Sequence, residues 1–187
     1  NETLSRMIRR NTRLAEIYFG DVAAQMATCS TGAREYQAML RQYGLDTVTR
    51  AIQQLFDQSE RLVRSRLAAL VDGDYEFTDR LDHDGIHLDT RLAIQVTVRK
   101  RGSGMEVDFT GSAAQAPGPI NVNYYTSCSA AYWAIRSVFA PDAPTNEGAH
   151  RPITVTIPEG CLFNPHPNAP TALRAQSVKA ASIAVLG

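Results

Sequence analysis

The chain has no surplus of either charge. Nineteen Lys and Arg stand against nineteen Asp and Glu, so no global field draws in a nucleic-acid backbone or an anionic membrane, and neither is expected as a partner. Any charged binding surface must be local. Cysteine is scarce too: Cys29, Cys128 and Cys161 lie far apart in unlike contexts. That excludes a disulfide framework and a CxxC metal or redox pair, and it fits a reducing cytoplasm. Long apolar runs are missing, so no secretory signal or membrane span is read and a soluble protein is expected. GxxxxGK[ST], GxSxG and HExxH are all absent. No P-loop, nucleophile elbow or zinc-protease helix is therefore expected.

Against these absences, 44% of the 187 residues are hydrophobic, enough for one globular domain with a substantial core or for two small ones. From Leu4 to about Leu70 apolar residues recur at spacings of three and four: Leu4, Met7, Ile8, Leu14, Ile17, Tyr18, Val22 and Met26, then Tyr36, Met39, Leu40 and Tyr43. Gly44 reads as a helix stop and Asp46 as the next N-cap, before a long helix marked by Val48, Ile52, Leu55, Phe56, Leu62, Val63 and Leu67. Two or three helices are expected to pack together. Arg6, Arg9, Arg10 and Arg13 partly share one helix face, either an anion or acidic-partner site or a solvated or intersubunit face.

At Val71-Asp72-Gly73-Asp74 the period changes. Leu92–Val98 and Met105–Phe109 alternate around Arg101-Gly102-Ser103-Gly104, a hairpin pattern. Ser127 to Ala140 reads as a helix that Tyr132, Trp133, Ile135, Val138 and Phe139 make mostly buried, and Ile153–Ile157 is a strand between Pro152 and Pro158. NPHPNAP (164–170) forms a rigid connector to a last helix. The expectation is an α+β fold: an N-terminal antiparallel helical segment (1–70), then an antiparallel β-sheet with a packed helix (71–187).

The stretch VDFTGSAAQAPGPINVN (107–123) leaves a strand, crosses a Gly/Pro-rich loop and enters the aromatic helix. Gly111 permits positive φ, while Pro117 and Pro119 fix φ, so the loop is stiff. Asp108, Thr110, Ser112, Asn121 and Asn123 surround it with groups that either bind a small polar ligand or cross-link the loop itself. The second reading is favoured, because such side chains so often bond their own turns. TDRLDHDGIHLDT (78–90) is the densest ionisable run and has mixed N/O donors for a divalent ion, but Asp84-Gly85 reads more strongly as a tight turn. Cys128 is expected to pack as a small apolar residue. His150 and His166 lie in loops, where either could serve as a general base, but a lone loop histidine is more often merely exposed, so no base is named.

Four segments together resemble the hydantoinase B and 5-oxoprolinase family, which is related to the alpha subunit of acetone carboxylase. They are NTRLAEIYFGDVAAQMA (11–27) with YGLDTV (43–48); VDFTGSAAQAPGPIN (107–121) with AAYWAIRSV (130–138); NEGAHRPI (146–153); and PEGCLFNP (158–165). The resemblance implies an internal part of a larger cytoplasmic B-type subunit, inactive alone, in a hetero-oligomer that opens a hydantoin- or oxoproline-like ring. An actin-like hydantoinase A-type ATPase would bind ATP and Mg, and phosphorylation of the substrate amide oxygen would prepare it for water. The resemblance places the divalent metal, Zn or Mn, in a region before residue 11, and no cofactor is expected on this chain. It also carries Asn11, Arg13, Asp21, Asp108, Thr110, Ser112, Asn121 and Asn146 forward as candidates for a substrate or subunit interface. A non-catalytic docking domain, or part of a ketone carboxylase, would share all these segments.

Overall fold

The computed structural model describes residues 1–187, which form two compact units, 1–53 and 54–187. The division falls inside a helix rather than at residue 70, where the sequence period changes. The reason lies in the second half of that helix, whose Val63 and Leu67 belong to the core of the second unit.

In the first unit, α1 (Glu2–Asn11) is capped by the Asn1 side chain, which accepts from the amides of Thr3 and Leu4. Arg9 pairs with Glu16 of α2 (Ala15–Tyr43) and its guanidinium lies 4.5 Å from the Phe19 ring centroid. The first apolar run, Leu4 to Met26, is divided between α1 and α2, and its part from Ile17 joins the second run, Tyr36 to Tyr43, in one 29-residue helix, because alanines carry it through the middle. Gly44 ends it as predicted, and α3 (Leu45–Ala68) follows. The expected mutual packing of these helices is not what the structure shows. No residue of α2 is buried, and Val48 is the one buried residue of the unit. The stripe has helical spacing, but within 1–53 nothing covers it.

The second unit holds a four-stranded sheet in the order β1 (Gly73–Leu81), β2 (Leu92–Arg101), β3 (Gly104–Asp108), β4 (Ile153–Thr156). The predicted hairpin pairs Val98 with Val107 and Arg101 with Gly104. β1 and β2 are also antiparallel, with Phe77 opposite Val96. β4 corrects the all-antiparallel expectation: it lies parallel to β3, Val107 opposite Val155, so the sheet of this α+β fold is mixed. A parallel partner requires a crossover, here the 44-residue passage through α4 (Tyr124–Phe139) and α5 (Glu147–His150).

One face of the sheet, with Ile94, Val96, Met105, Val107 and Ile153, packs into a core with α4 and with α6 (Arg174–Leu186). α4 starts three residues earlier than predicted, because the Asn123 side chain caps it through the Thr126 amide. Ile135 is buried and Tyr132 and Phe139 are partly buried as predicted, but smaller residues sit deepest. Ser127, Ala130, Ala131, Ala134 and Ile135 are buried, while Tyr125, Trp133 and Val138 are more than half exposed. Small residues at three- and four-residue spacing let the helix approach the sheet closely, which leaves Tyr125 and Trp133 outside while Tyr132 and Phe139 pack against the core from its sides. At the β1 edge an apolar cleft of about 620 Å³ opens between Leu70, Phe77, Val98, Ile135 and Val185.

Candidate functional site on the open face of the sheet

Alternation fixes what the other face of the sheet carries. The register sets Asp74, Arg99, Glu106 and Thr154 in one cross-strand row, and Glu76, Thr97, Asp108 and Thr156 in the next. Asp108 ends β3 within this polar face. Its carboxylate accepts from Arg99 Nη1 at 3.0 Å and from the Thr110 amide at 2.8 Å. Burial alone would raise the Asp108 carboxyl, but the bonds from Thr110 and Arg99 outweigh it and hold the group below the usual carboxylate range. Arg99 is raised in turn, by its bond to Asp108 and by Glu106 at 3.4 Å. A carboxylate so well supplied with donors is a poor proton acceptor. It is suited to holding Thr110, whose side chain is exposed, at the rim of the face.

The loop beyond is built from inside. Gly111 has φ 95, and a Cβ there would run into the Gln95 side chain. Ser112 Oγ donates to the Gln95 carbonyl and accepts from the Gln95 amide, tying the loop to β2. Asn121 is fully buried. Its Oδ1 accepts from the Ala116 amide at 2.8 Å, and its Nδ2 donates to the carbonyls of Ala116, Gly118 and Pro170. The segment 160–164 backs the same loop: Gln115 N bonds Gly160 O, Leu162 N bonds Ala113 O, and Val122 N bonds Leu162 O. Two of the sequence signatures, 107–121 and 158–165, are thus halves of one hydrogen-bonded body. For Asn121 the cross-linking reading of the loop is the one the geometry supports.

The remaining candidates are spread out. Asn146 caps α5 through the Ala149 amide, and its Nδ2 donates to Ser59 Oγ at 2.9 Å, away from Asp108. Asn11, Arg13 and Asp21 are exposed in the first unit, with Asn11 Nδ2 bonded to Met7 O. So the structure brings together Asp108 and Thr110, ties Ser112 to Gln95 of β2, sets Asn121 among Ala116, Gly118 and Pro170, and does not join Asn146 to them. Arg99, Gln95, Glu106 and Arg151 were not singled out from the sequence. The period of two through Gln95, Thr97, Arg99 and Arg101 was the available signal. Arg151 pairs with Asp57 at 3.0 Å and Glu60 at 3.1 Å, and these bonds raise its basicity.

The acidic stretch is a turn, as read. Asp84 is 3% exposed, and its Oδ1 accepts from the amides of Ile86 and His87 while its Oδ2 faces His87 Nδ1. The His87 amide, then that of Ile86 and the His87 ring, bring its carboxyl down to about 2 against the opposing effect of burial. With both oxygens engaged, the turn does not suit a divalent ion, and no group of three or more His, Cys, Asp or Glu is placed to share one. Cys128 and Cys161 are buried, and burial raises both thiols, so neither is a ready nucleophile. His150 stacks on Tyr132 with ring centroids 4.4 Å apart, and burial followed by the nearby Arg136 lowers its basicity. His166 is exposed beside Glu159.

Comparison with known proteins then defines the class. The Hydantoinase B/oxoprolinase family model matches residues 1–187, and the chain belongs to that family. It is 35% identical over 184 residues to a protein of Pseudomonas sp. (strain NS671) provisionally named as the B-type subunit of a D-/L-hydantoinase, a match covering 91% of this chain and 31% of that protein. Among solved structures it is similar to the ATP-dependent caprolactamase of Pseudomonas jessenii, with TM-score 0.86 and 30% identity over 99% of this chain and 32% of that one. A nucleotide-free acetone carboxylase shares the fold alone, at TM-score 0.79 and 15% identity over 94% of this chain and 25% of that one. The chain spans about a third of the length of the hydantoinase protein. No helix is long and apolar enough to cross a membrane.

Proposed function

We propose that this chain is part of the B-type subunit of a cytoplasmic, ATP-dependent hydrolase that opens a small cyclic amide of the hydantoin, oxoproline or lactam kind. The observation that carries this reading is the family match along the whole chain, joined to the close likeness to caprolactamase. An A-type ATPase subunit would hold ATP and Mg and transfer the terminal phosphoryl to the amide oxygen. Water would then add to the activated carbon, the ring C–N bond would break, and phosphate would leave. By the family resemblance, a resident Zn or Mn would lie outside this chain. In this scheme the open sheet face, with Thr110 held by Asp108 and Arg99, faces substrate or the ATPase.

The test uses the complete complex. Asp108→Ala and Thr110→Ala are expected to lower turnover by an order of magnitude or more while the subunits still co-elute. If both variants turn over normally, the sheet face is not part of the site. A second reading, docking of the ATPase, is favoured by the unburied α2, where Ile17, Met26 and Tyr43 are each more than half exposed. It predicts that charged substitutions at Met26 and Tyr36 abolish co-elution, whereas the same substitutions leave assembly intact if α2 is not an interface.

A further inference from the structure

β1 is an outer strand with no strand beyond it. All nine of its residues pair with β2 in unbroken register, and the order β1-β2-β3-β4 leaves its other side open. The direction of its free backbone groups follows from strand alternation. Met105 N bonds Pro152 O and Phe109 N bonds Thr156 O, so the odd residues of β3 turn towards β4 and the even ones towards β2. Register carries the alternation across: Thr97 and Arg99 of β2 turn to β3, whereas Val96 and Val98 turn to Phe77 and Tyr75 of β1. Asp74, Glu76, Thr78 and Arg80 are therefore left with their amides and carbonyls directed outward. The Arg80 amide is taken by Asp79 Oδ1 at 2.8 Å, a place that a partner strand's carbonyl can assume. Residues 74–78 and 80 are exposed, and β1 has no proline, lysine or bulge to close this edge to a partner.

We propose that β1 pairs antiparallel with β1 of a second copy of this chain, about a two-fold axis at Thr78, joining two four-stranded sheets into one. The inference rests on the strand itself and stands apart from the hydrolase reading. What selects a second copy is that the strand is complementary to itself. An axis at Thr78 sets Glu76 opposite Arg80 of the other copy, twice, and Tyr75 opposite Leu81, twice. Glu76 and Arg80 have no ion-pair partner in the chain, whereas Asp72 and Asp74 are engaged by Lys100 and Arg101. The two ion pairs form on the open face, and Tyr75 meets Leu81 on the side of the apolar cleft, which Tyr75 and Phe77 line. Phe77 stands opposite Asp79, the one pair without a gain. The same axis matches the backbone, because Thr78 with Thr78 and Glu76 with Arg80 become hydrogen-bonded pairs of residues that already point outward. Neighbouring axes do worse. One at Glu76 or at Asp79 opposes like charges, and one at Phe77 sets Arg80 against Asp74, which Arg101 already holds.

The experiment is sedimentation of the full-length protein over about a hundredfold range of concentration. The wild type should show a reversible dimer. Glu76→Arg alone and Arg80→Glu alone each turn both ion pairs into like-charge pairs, and each should weaken the dimer about tenfold or more. An equal mixture of these two variants restores opposite charges at both positions, so it should dimerise as the wild type does, which also shows that both variants are folded. Thr78→Pro removes an outward amide and no bond to β2, so it should abolish the dimer while the circular dichroism of the protein is unchanged. A monomer at every concentration, a dimer that neither charge reversal weakens, or a mixture that dimerises no better than its components overturns the proposal.

Discussion

Replacing Asn121 by Ala tests the central claim about the signature loop, that its buried amide is the loop's internal frame. The side chain is 0% exposed and takes part in four short contacts. Its Nδ2 has two hydrogens for three carbonyls, so the four contacts amount to about three full hydrogen bonds. Alanine would leave the Ala116 amide without its acceptor and three carbonyls without their shared donor, in a place where the side chain admits no solvent. A buried donor left unsatisfied costs about 1–3 kcal/mol, and each further bond lost adds about 1 kcal/mol. The expected loss is therefore about 3–5 kcal/mol, near the top of the range for single substitutions. In urea unfolding with a slope near 2 kcal/mol per M, the midpoint should fall by about 2 M. Amide exchange at Ala116 should accelerate ahead of that in the strands. A loss under about 1 kcal/mol with the Ala116 amide still protected would refute the reasoning. So would an assembled complex that is fully folded yet inactive, because that outcome would assign Asn121 to the chemistry instead.

Other substitutions probe neighbouring parts of the same frame. Gly118 lies so close to the turn that a Cβ would fall on the Asp84 carbonyl oxygen, so Gly118→Ala should cost about 3 kcal/mol or more in thermal unfolding. Asp84 has its carboxyl lowered from 3.8 to about 2, so its ionised form stabilises the fold above the unfolded value and that contribution disappears as pH falls through the folded one. The stability advantage of the wild type over Asp84→Asn should be constant above about pH 5 and shrink towards pH 2, as read from acid titrations of both proteins; a difference that persists below pH 2 would contradict this. Lys100 is 1% exposed and bonded to Leu70 O and Asp72, while Asp72 is 57% exposed. Removing the acid strands a buried charge and removing the base does not, so Asp72→Ala should destabilise more than Lys100→Met in chemical denaturation, and the reverse order would show that the ammonium is not held as described.

Much of the frame was legible before any coordinates. The 3.6-residue period announced α2 and α3, the period of two announced the β2–β3 hairpin, and Gly44 and Gly111 stand where the chain needs them. What escaped was partnership. α2 has an apolar stripe like that of a packed helix, yet buries nothing, because a stripe states what a helix can bury and not whether a cover is supplied. Trp133 and Val138 of α4 look like core by hydrophobicity, yet its alanines sit deepest, since close approach to a sheet selects small side chains and composition alone does not reveal the distance of approach. The site was legible in the same partial way. Asp108 and Thr110 stood out in a motif, whereas Arg99 lay unmarked in an ordinary alternating strand.

The amino-acid sequence by itself determined the class of the fold, the family, the stiff loop from Thr110 to Asn121 and the Asp84 turn. Each of these depends on residues near one another in the chain, where φ limits, caps and periodicity act. Only the tertiary structure decided that β4 runs parallel to β3, that segments 107–121 and 158–165 build a single body, and that Arg151 at the end of α5 meets Asp57 and Glu60 of α3. Those outcomes depend on strand register and on contacts between residues about 40 to 90 apart in the chain, and a side chain carries no mark of which distant backbone it will meet.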